Sequence, residues 1–221
     1  MSLRTRLWAS MEPTFAEILR HPFLAGLTDG SLAPDRFSFY VTQDARYLVE
    51  YARALAVLSA RAPQPGSVAM FARHAAGALE VEAALHAILL PELGLDPADV
   101  ARVESAPTNL AYTNYLLATA YGGSFPDAVA AVLPCYWIYA EVGAALVERG
   151  SPDPRYARWI DAYAGEAFAL VLADVLALVD DLETDISEAQ EARMHVHAAT
   201  ATRYEWLFWD MAWRQEQWPI T

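Results

Sequence analysis

Apolar residues recur three and four positions apart along nearly the whole of this 221-residue chain, and alternation with period two is scarce. That spacing matches the turn of an α-helix and puts the apolar side chains on one stripe, so helices packed on helices are the expected architecture. At 55% apolar and 19% charged residues the chain can build a sizeable core and does not have the composition of a disordered one. Its length suits one large domain.

Start and stop signals divide the pattern. Pro34 at a first helical position opens a helix expected over 34–61, ended by Pro63 and Pro65. A second is expected over 66–93 with its end at Gly94, and Asp96-Pro97 opens a short connecting turn. Ser105-Ala-Pro107 introduces a helix to Tyr121, stopped by Gly122-Gly123, and Ser124-x-x-Asp127 has the form of a capping box for a helix to Arg149. Asp153-Pro154 starts a helix to about 179, and Ser187-x-x-Gln190 caps a final one to about 215. Six or seven helices with short connections and no repeat predict one all-α domain over 1–221.

Charge and cysteine usage exclude several roles. The 15 basic residues are all Arg against 28 acidic ones, a net charge of −13, which argues against a nucleic-acid partner because such binding rests on basic patches. Cys135 is the single cysteine, so neither an intrachain disulfide nor a CxxC metal knuckle can form. The segment MSLRTRLWASMEPTF is interrupted by Arg4, Arg6 and Glu12 and does not read as a secretory leader, which makes a cytoplasmic location the expectation. The most apolar uncharged run, Ala128 to Ala140, is shorter than a membrane span and contains Pro134, so no membrane association is expected.

Function is sought where a reactive group interrupts an apolar stripe. Asp44 sits within Phe37, Tyr40, Val41, Leu48 and Tyr51, four after Tyr40 and four before Leu48. Glu205 takes the equivalent place in Met194, Ala198, Ala201, Phe208 and Ala212. A carboxylate buried without partners costs several kcal/mol, and a carboxyl kept neutral by burial is what general acid-base catalysis uses. Cys135 shares a helix face with Ala131, Tyr139 and Val142; a buried thiol alone is unremarkable, but two acids and a thiol on separate helices suggest one site. Tyr47, Tyr139 and Phe208 lie three or four residues from these groups, and Tyr112 and Tyr163 fall within two further helices, so a shared pocket would have aromatic walls suited to a flat heteroaromatic ligand.

Five spaced motifs carry a family resemblance across nearly the whole chain: FxxYxxQDxxYL from Phe37 to Leu48, Tyr112 in LAYTNYLL, PCxWxYxExG from Pro134 to Gly143, the series Trp159, Ile160, Tyr163 and Phe168, and ExxFWDMAW from Glu205 to Trp213. Together they resemble the TenA family, also called thiaminase II or aminopyrimidine aminohydrolase. The resemblance implies an all-α fold like that of haem oxygenase, a homotetramer, no cofactor, and hydrolysis of the 5-methylene substituent of 4-amino-2-methylpyrimidines in thiamin salvage. It casts Cys135 as nucleophile, Glu205 as acid-base and Asp44 as the anchor for the pyrimidine amino group and ring nitrogen. Tyr112 and Tyr163 would orient ring and thiol, with Tyr47, Tyr139 and Phe208 as walls.

Two rival readings have sequence features of their own. A metal-dependent oxidase of the same fold could use Glu82 and His86, four apart, or His195-x-His197, whose members point to different sides of a helix; a di-iron site needs about four carboxylates and two histidines. His21 before Pro22 suits contacts with terminal helix carbonyls better than haem ligation, and His74 reads as an ordinary exposed or half-buried residue. A non-catalytic pyrimidine-binding protein would be preferred had position 135 or 205 carried an inert side chain.

Overall fold

The structure, a computed structural model, describes residues 1–220, without the side chains at 81, 82 and 84–86. Among the described residues there are ten helices and no strand: α1 (Leu3–Leu19), α2 (Pro22–Asp29), α3 (Pro34–Arg61), α4 (Pro65–Glu92), α5 (Pro97–Val100), α6 (Pro107–Gly122), α7 (Phe125–Val147), α8 (Pro154–Ala164), α9 (Glu166–Leu182) and α10 (Glu188–Arg214). The all-α expectation holds, and the expected number of helices is exceeded.

Local signals account for most boundaries. Pro34 is the first residue of α3, and both capping boxes form, Ser124 with Asp127 on α7 and Ser187 with Gln190 on α10, each satisfying otherwise orphaned N–H groups. Gly94 and Gly150 follow α4 and α7 at φ 70° and 62°, the left-handed region open to glycine. The helix expected from 153 to 179 is instead two, broken at Gly165. At this break α8 meets another helix: a Cβ on Gly143 of α7 would come within 2.6 Å of the Tyr163 carbonyl carbon and 2.7 Å of the Ala164 nitrogen, so the end of α8 rests directly on α7 backbone.

α7 is the axis of the bundle. Every residue from Asp127 to Tyr139 is buried, and α3, α6, α8, α9 and α10 pack around it. Side chains such as Leu7, Met11, Phe23, Phe37, Phe71 and Trp209 are fully covered, and burying a Leu, Met or Phe contributes about 1.5–3 kcal/mol each. The run Ala128–Ala140 thus belongs to a 23-residue helix that is long and apolar enough to cross a membrane, yet 72% of its most apolar window is buried inside the bundle, as a core helix requires. The stretch Pro154–Leu182, of mean hydropathy 1.8, also has that length, and only 22% of its window is buried.

Candidate active site

Five helices bring the singled-out residues together. On α3 the stripe Tyr40, Asp44, Tyr47 and Tyr51 faces inward; α7 contributes Cys135 and Tyr139, α6 Tyr112, α8 Tyr163, and α10 Glu205 and Phe208. Pro134 lies inside α7, immediately before Cys135, and cannot donate the helical hydrogen bond expected at its position. Asp44 and Glu205 are both buried, as is Cys135, and the charges of both acids reach the thiol.

Polar contacts are few and specific. The Tyr112 hydroxyl donates to Glu205 Oε1 at 2.6 Å, and the Tyr40 and Tyr139 hydroxyls share a hydrogen bond at 3.0 Å. Tyr47 makes no side-chain hydrogen bond of good geometry, although its buried hydroxyl faces Cys135 and Tyr112. An unsatisfied buried hydroxyl costs stability and is a donor open to a ligand or a thiolate.

Rings fill the remaining space. Tyr47 lies 5.2 Å from Tyr112 and 5.4 Å from Phe208 between centroids, and Tyr139 lies 4.8 Å from Tyr163. Trp159, buried, stands 4.9 Å from Tyr163 and 5.9 Å from Tyr40. Cys135 keeps 9% of its surface accessible against 1% for Glu205, so a space at least a water wide borders Cys135. Two hollows of about 430 and 450 Å³ lie elsewhere: one by Pro13, Arg203 and Trp206, the other by Ala45, Val49, Leu90 and Val100.

Proton affinities follow from this enclosure. Burial pushes the Glu205 carboxyl up to about 8, with the Tyr112 hydrogen bond acting in the opposite direction. Near neutrality Glu205 therefore carries a proton. Burial also pushes the Cys135 thiol well up, helped by the Glu205 and Asp44 carboxyls and opposed by the nearby Tyr47 and Tyr51 hydroxyls. The site pairs a neutral acid with a thiol that needs a donor set or a base to ionise.

The other histidines have local partners. His21 caps α2, its Nδ1 accepting from the Phe23 N–H at 3.2 Å, which is the amide end of a helix and not the carbonyl end expected. His195 pairs with Glu191 and His197 with the Tyr115 hydroxyl, on separate sides of α10. Glu82 and His86 lie outside the residues whose side chains are described; among those described, no three His, Cys, Asp or Glu side chains are gathered to hold a metal ion. His74 corrects the reading from sequence: it is buried, with Nδ1 3.3 Å from the Tyr136 hydroxyl. Tyr51, Tyr136 and Tyr40 were not singled out by spacing as site residues, because each looks like one more aromatic ring on an apolar face.

Comparison with known proteins bears on the family and the fold. Residues 8–215 match the model of the TENA/THI-4/PQQC family. Over 220 residues, 99% of this chain and 98% of the relative, the sequence is 34% identical to an aminopyrimidine aminohydrolase of Halalkalibacterium halodurans. Among solved structures, a TenA homologue from P. horikoshii OT3 superposes with a TM-score of 0.89 at 31% identity, covering 97% of this chain and 99% of that one. A domain of haem oxygenase-like fold from Shewanella denitrificans superposes at 0.75 with 17% identity, covering 96% and 92% of the two chains, a likeness of fold alone.

Proposed function

This chain belongs to the TENA/THI-4/PQQC family, and on that footing we propose that it is an aminopyrimidine aminohydrolase of the thiaminase II type, acting in thiamin salvage. Its substrate in this reading is 4-amino-5-aminomethyl-2-methylpyrimidine, with thiamin itself a slower one, and its product the 5-hydroxymethyl compound. The observation that carries the reading is the buried Glu205 carboxyl, hydrogen-bonded to Tyr112, pushed up to about 8 by burial and close enough to the chain's single thiol to influence its ionisation.

The chemistry follows from those two groups. The Cys135 thiolate adds to a ring carbon, which breaks aromaticity and pushes an electron pair towards the exocyclic C–N bond. Glu205 gives its proton to the departing amine, so ammonia leaves and not an amide anion; such acid catalysis contributes about 10²–10⁴-fold. Water then adds to the exposed methylene while Glu205 takes back a proton, and departure of the thiolate restores the ring. Asp44 accepts hydrogen bonds from the 4-amino group and a protonated ring nitrogen, Tyr47, Tyr139 and Phe208 flank the ring, and Tyr112 and Tyr163 orient acid and ring. The unsatisfied Tyr47 hydroxyl is a donor that can turn to the sulfur and favour its ionised form.

The purified protein is expected to release ammonia from the aminomethylpyrimidine, and Cys135→Ser to lose nearly all of that release with the helical content unchanged. No release by the wild-type protein, or an unaffected rate in Cys135→Ser, would remove the reading.

A homotetramer is part of the same proposal. The apolar stretch Pro154–Leu182 leaves most of its most apolar window unburied in one chain, and Leu170 on it is 62% exposed; a second copy would cover that face. Light scattering should give four times the 24.4 kDa chain mass.

A further inference from the structure

The helix that orients the acid has no cap of its own. α6 carries Tyr112, whose hydroxyl donates to Glu205 on α10, but its N-cap residue is Ala106, which offers no side-chain acceptor, and Pro107 follows at its first position. Proline has no N–H to satisfy, so the first orphaned donor is the Thr108 N–H. Its partner comes from the far end of the sequence: Glu216 Oε2, two residues beyond α10, accepts it at 2.8 Å. Glu216 Oε1 lies 3.6 Å from Arg214 Nη2.

The turn that brings Glu216 there is built at Gln215. Its φ of 49° is the sole positive value at a non-glycine residue among the described residues, a conformation that costs a residue bearing a side chain. The Gln215 and Glu216 N–H groups return to the Ala212 and Met211 carbonyls at 3.2 and 3.0 Å, a helix ending that glycine usually occupies. Two residues on, Trp218 Nε1 donates to the Ser105 carbonyl at 3.1 Å. Gln43 of α3 grips the same segment, its Oε1 accepting from the Ala106 N–H at 2.9 Å and its Nε2 donating to the Glu104 carbonyl at 3.1 Å.

α6 and α10 run antiparallel, and their polar contacts fall in register: Tyr115 with His197, Tyr112 with Glu205, and Thr108 with Glu216. Thr108 precedes Tyr112 by four residues, about one helical turn, so both lie on the side of α6 turned to α10. The Tyr112 ring stacks on Tyr204, with centroids 5.0 Å apart and planes 7° from parallel, which supports the ring from one side and leaves its position along the helix to the backbone. A closed circuit results, from Glu205 along α10 to Glu216, across to Thr108, along α6 to Tyr112 and back to Glu205.

We propose that residues 215–220 are a strap with Glu216 as its positioning residue: by capping α6 it sets where Tyr112 meets Glu205, and so maintains the hydrogen bond that orients the acid. Its effect on turnover rests on the reading of Glu205 as the acid-base; its hold on the contact does not. Glu216 touches no reacting atom and acts through Tyr112.

The test compares Glu216→Ala with Asp127→Ala, since each removes a carboxylate that accepts from a backbone N–H at a helix start. Two quantities are read: the pH midpoint of the Glu205 carboxyl by carbon-13 NMR, which needs no turnover, and kcat with KM for ammonia release. Tyr112→Phe removes the Glu205 contact outright and sets the full change of midpoint, which is upward because a hydrogen bond to a carboxylate favours its ionised form. Glu216→Ala should move the midpoint the same way by about a third as far or more, and lower kcat by about fivefold or more with KM within about twofold. Asp127→Ala should leave the Glu205 midpoint at its wild-type value. Glu216→Gln, which keeps an acceptor oxygen at the same reach, should bring midpoint and kcat most of the way back. A wild-type midpoint in Glu216→Ala, or losses in Glu216→Gln as large as in Glu216→Ala, would overturn the strap. If the wild-type protein releases no ammonia while the midpoint changes hold, the aminohydrolase reading fails and the strap stands.

Discussion

Two buried acids on neighbouring parts of this bundle meet opposite fates. Asp127, at the start of α7, is 4% exposed, and Glu205, midway along α10, is 1% exposed. Burial raises the proton affinity of both. At Asp127 it is outweighed by the Ser124 hydroxyl and backbone N–H and by Arg193, 3.2 Å away, and the carboxyl is held below its ordinary range. At Glu205 the opposing contact is one tyrosine hydroxyl, and the carboxyl rises to about 8. Both carboxyls are covered, but Asp127 lies at a helix start beside the half-exposed Arg193 and Glu205 lies deep in the bundle, so depth and partners together yield a structural anion in one place and a neutral acid in the other.

The largest difference should appear in turnover. Glu205→Gln, which keeps size and burial but cannot exchange the proton, is expected to lower ammonia release by about 10²–10⁴-fold. Asp127→Ala is expected to stay within about threefold, since its carboxylate serves a helix end. Comparable losses in both would erase the functional side of the contrast.

The pH dependence of stability should differ in sign. Glu205 has a raised affinity in the folded chain, so its contribution is complete below the ordinary glutamate range and is lost as pH rises towards about 8. Asp127 has a lowered affinity, so its contribution is present above the ordinary aspartate range and is lost as pH falls through its folded value. Melting temperatures against pH should therefore show a shallower decline between about pH 4.5 and 8 in Glu205→Gln and a shallower acid decline in Asp127→Ala; the same change of slope in both would contradict this account of the two environments.

The smallest effect is at neutral pH. Asp127→Ala removes half of a capping box and should cost about 1 kcal/mol, which lowers the melting temperature by roughly 2–4 °C for a chain of this size. An unchanged melting temperature would mean that the Asp127 contacts with Ser124 and Arg193 contribute nothing net.

What the sequence made legible was mostly local. Pro34, Ser124 with Asp127, and Ser187 with Gln190 start their helices through contacts within one turn, and each is found where its spacing placed it. Asp44 and Glu205 could be singled out because a carboxylate interrupts a periodic apolar stripe. The break between α8 and α9 was not legible, because the apolar pattern from Trp159 to Phe168 runs across it unbroken and the close seat of Tyr163 and Ala164 on Gly143 of α7 is a long-range contact. His74 was misjudged for a similar reason: whether a residue on α4 is covered depends on where α7 and α9 pack, and only that packing sets Tyr136 and Asp174 on its two nitrogens. The Tyr112 contact that orients Glu205 is also long-range, joining α6 to α10.

The carbon-13 shift of the Glu205 carboxyl followed against pH, assigned by its absence in Glu205→Gln, bears most directly on the neutral acid at the centre of this site. A midpoint near pH 8 is predicted, with Asp127 titrating below the usual aspartate range in the same series. A Glu205 midpoint in the usual glutamate range would contradict it, since the carboxyl would then be ionised at neutrality and have no proton to give a leaving amine.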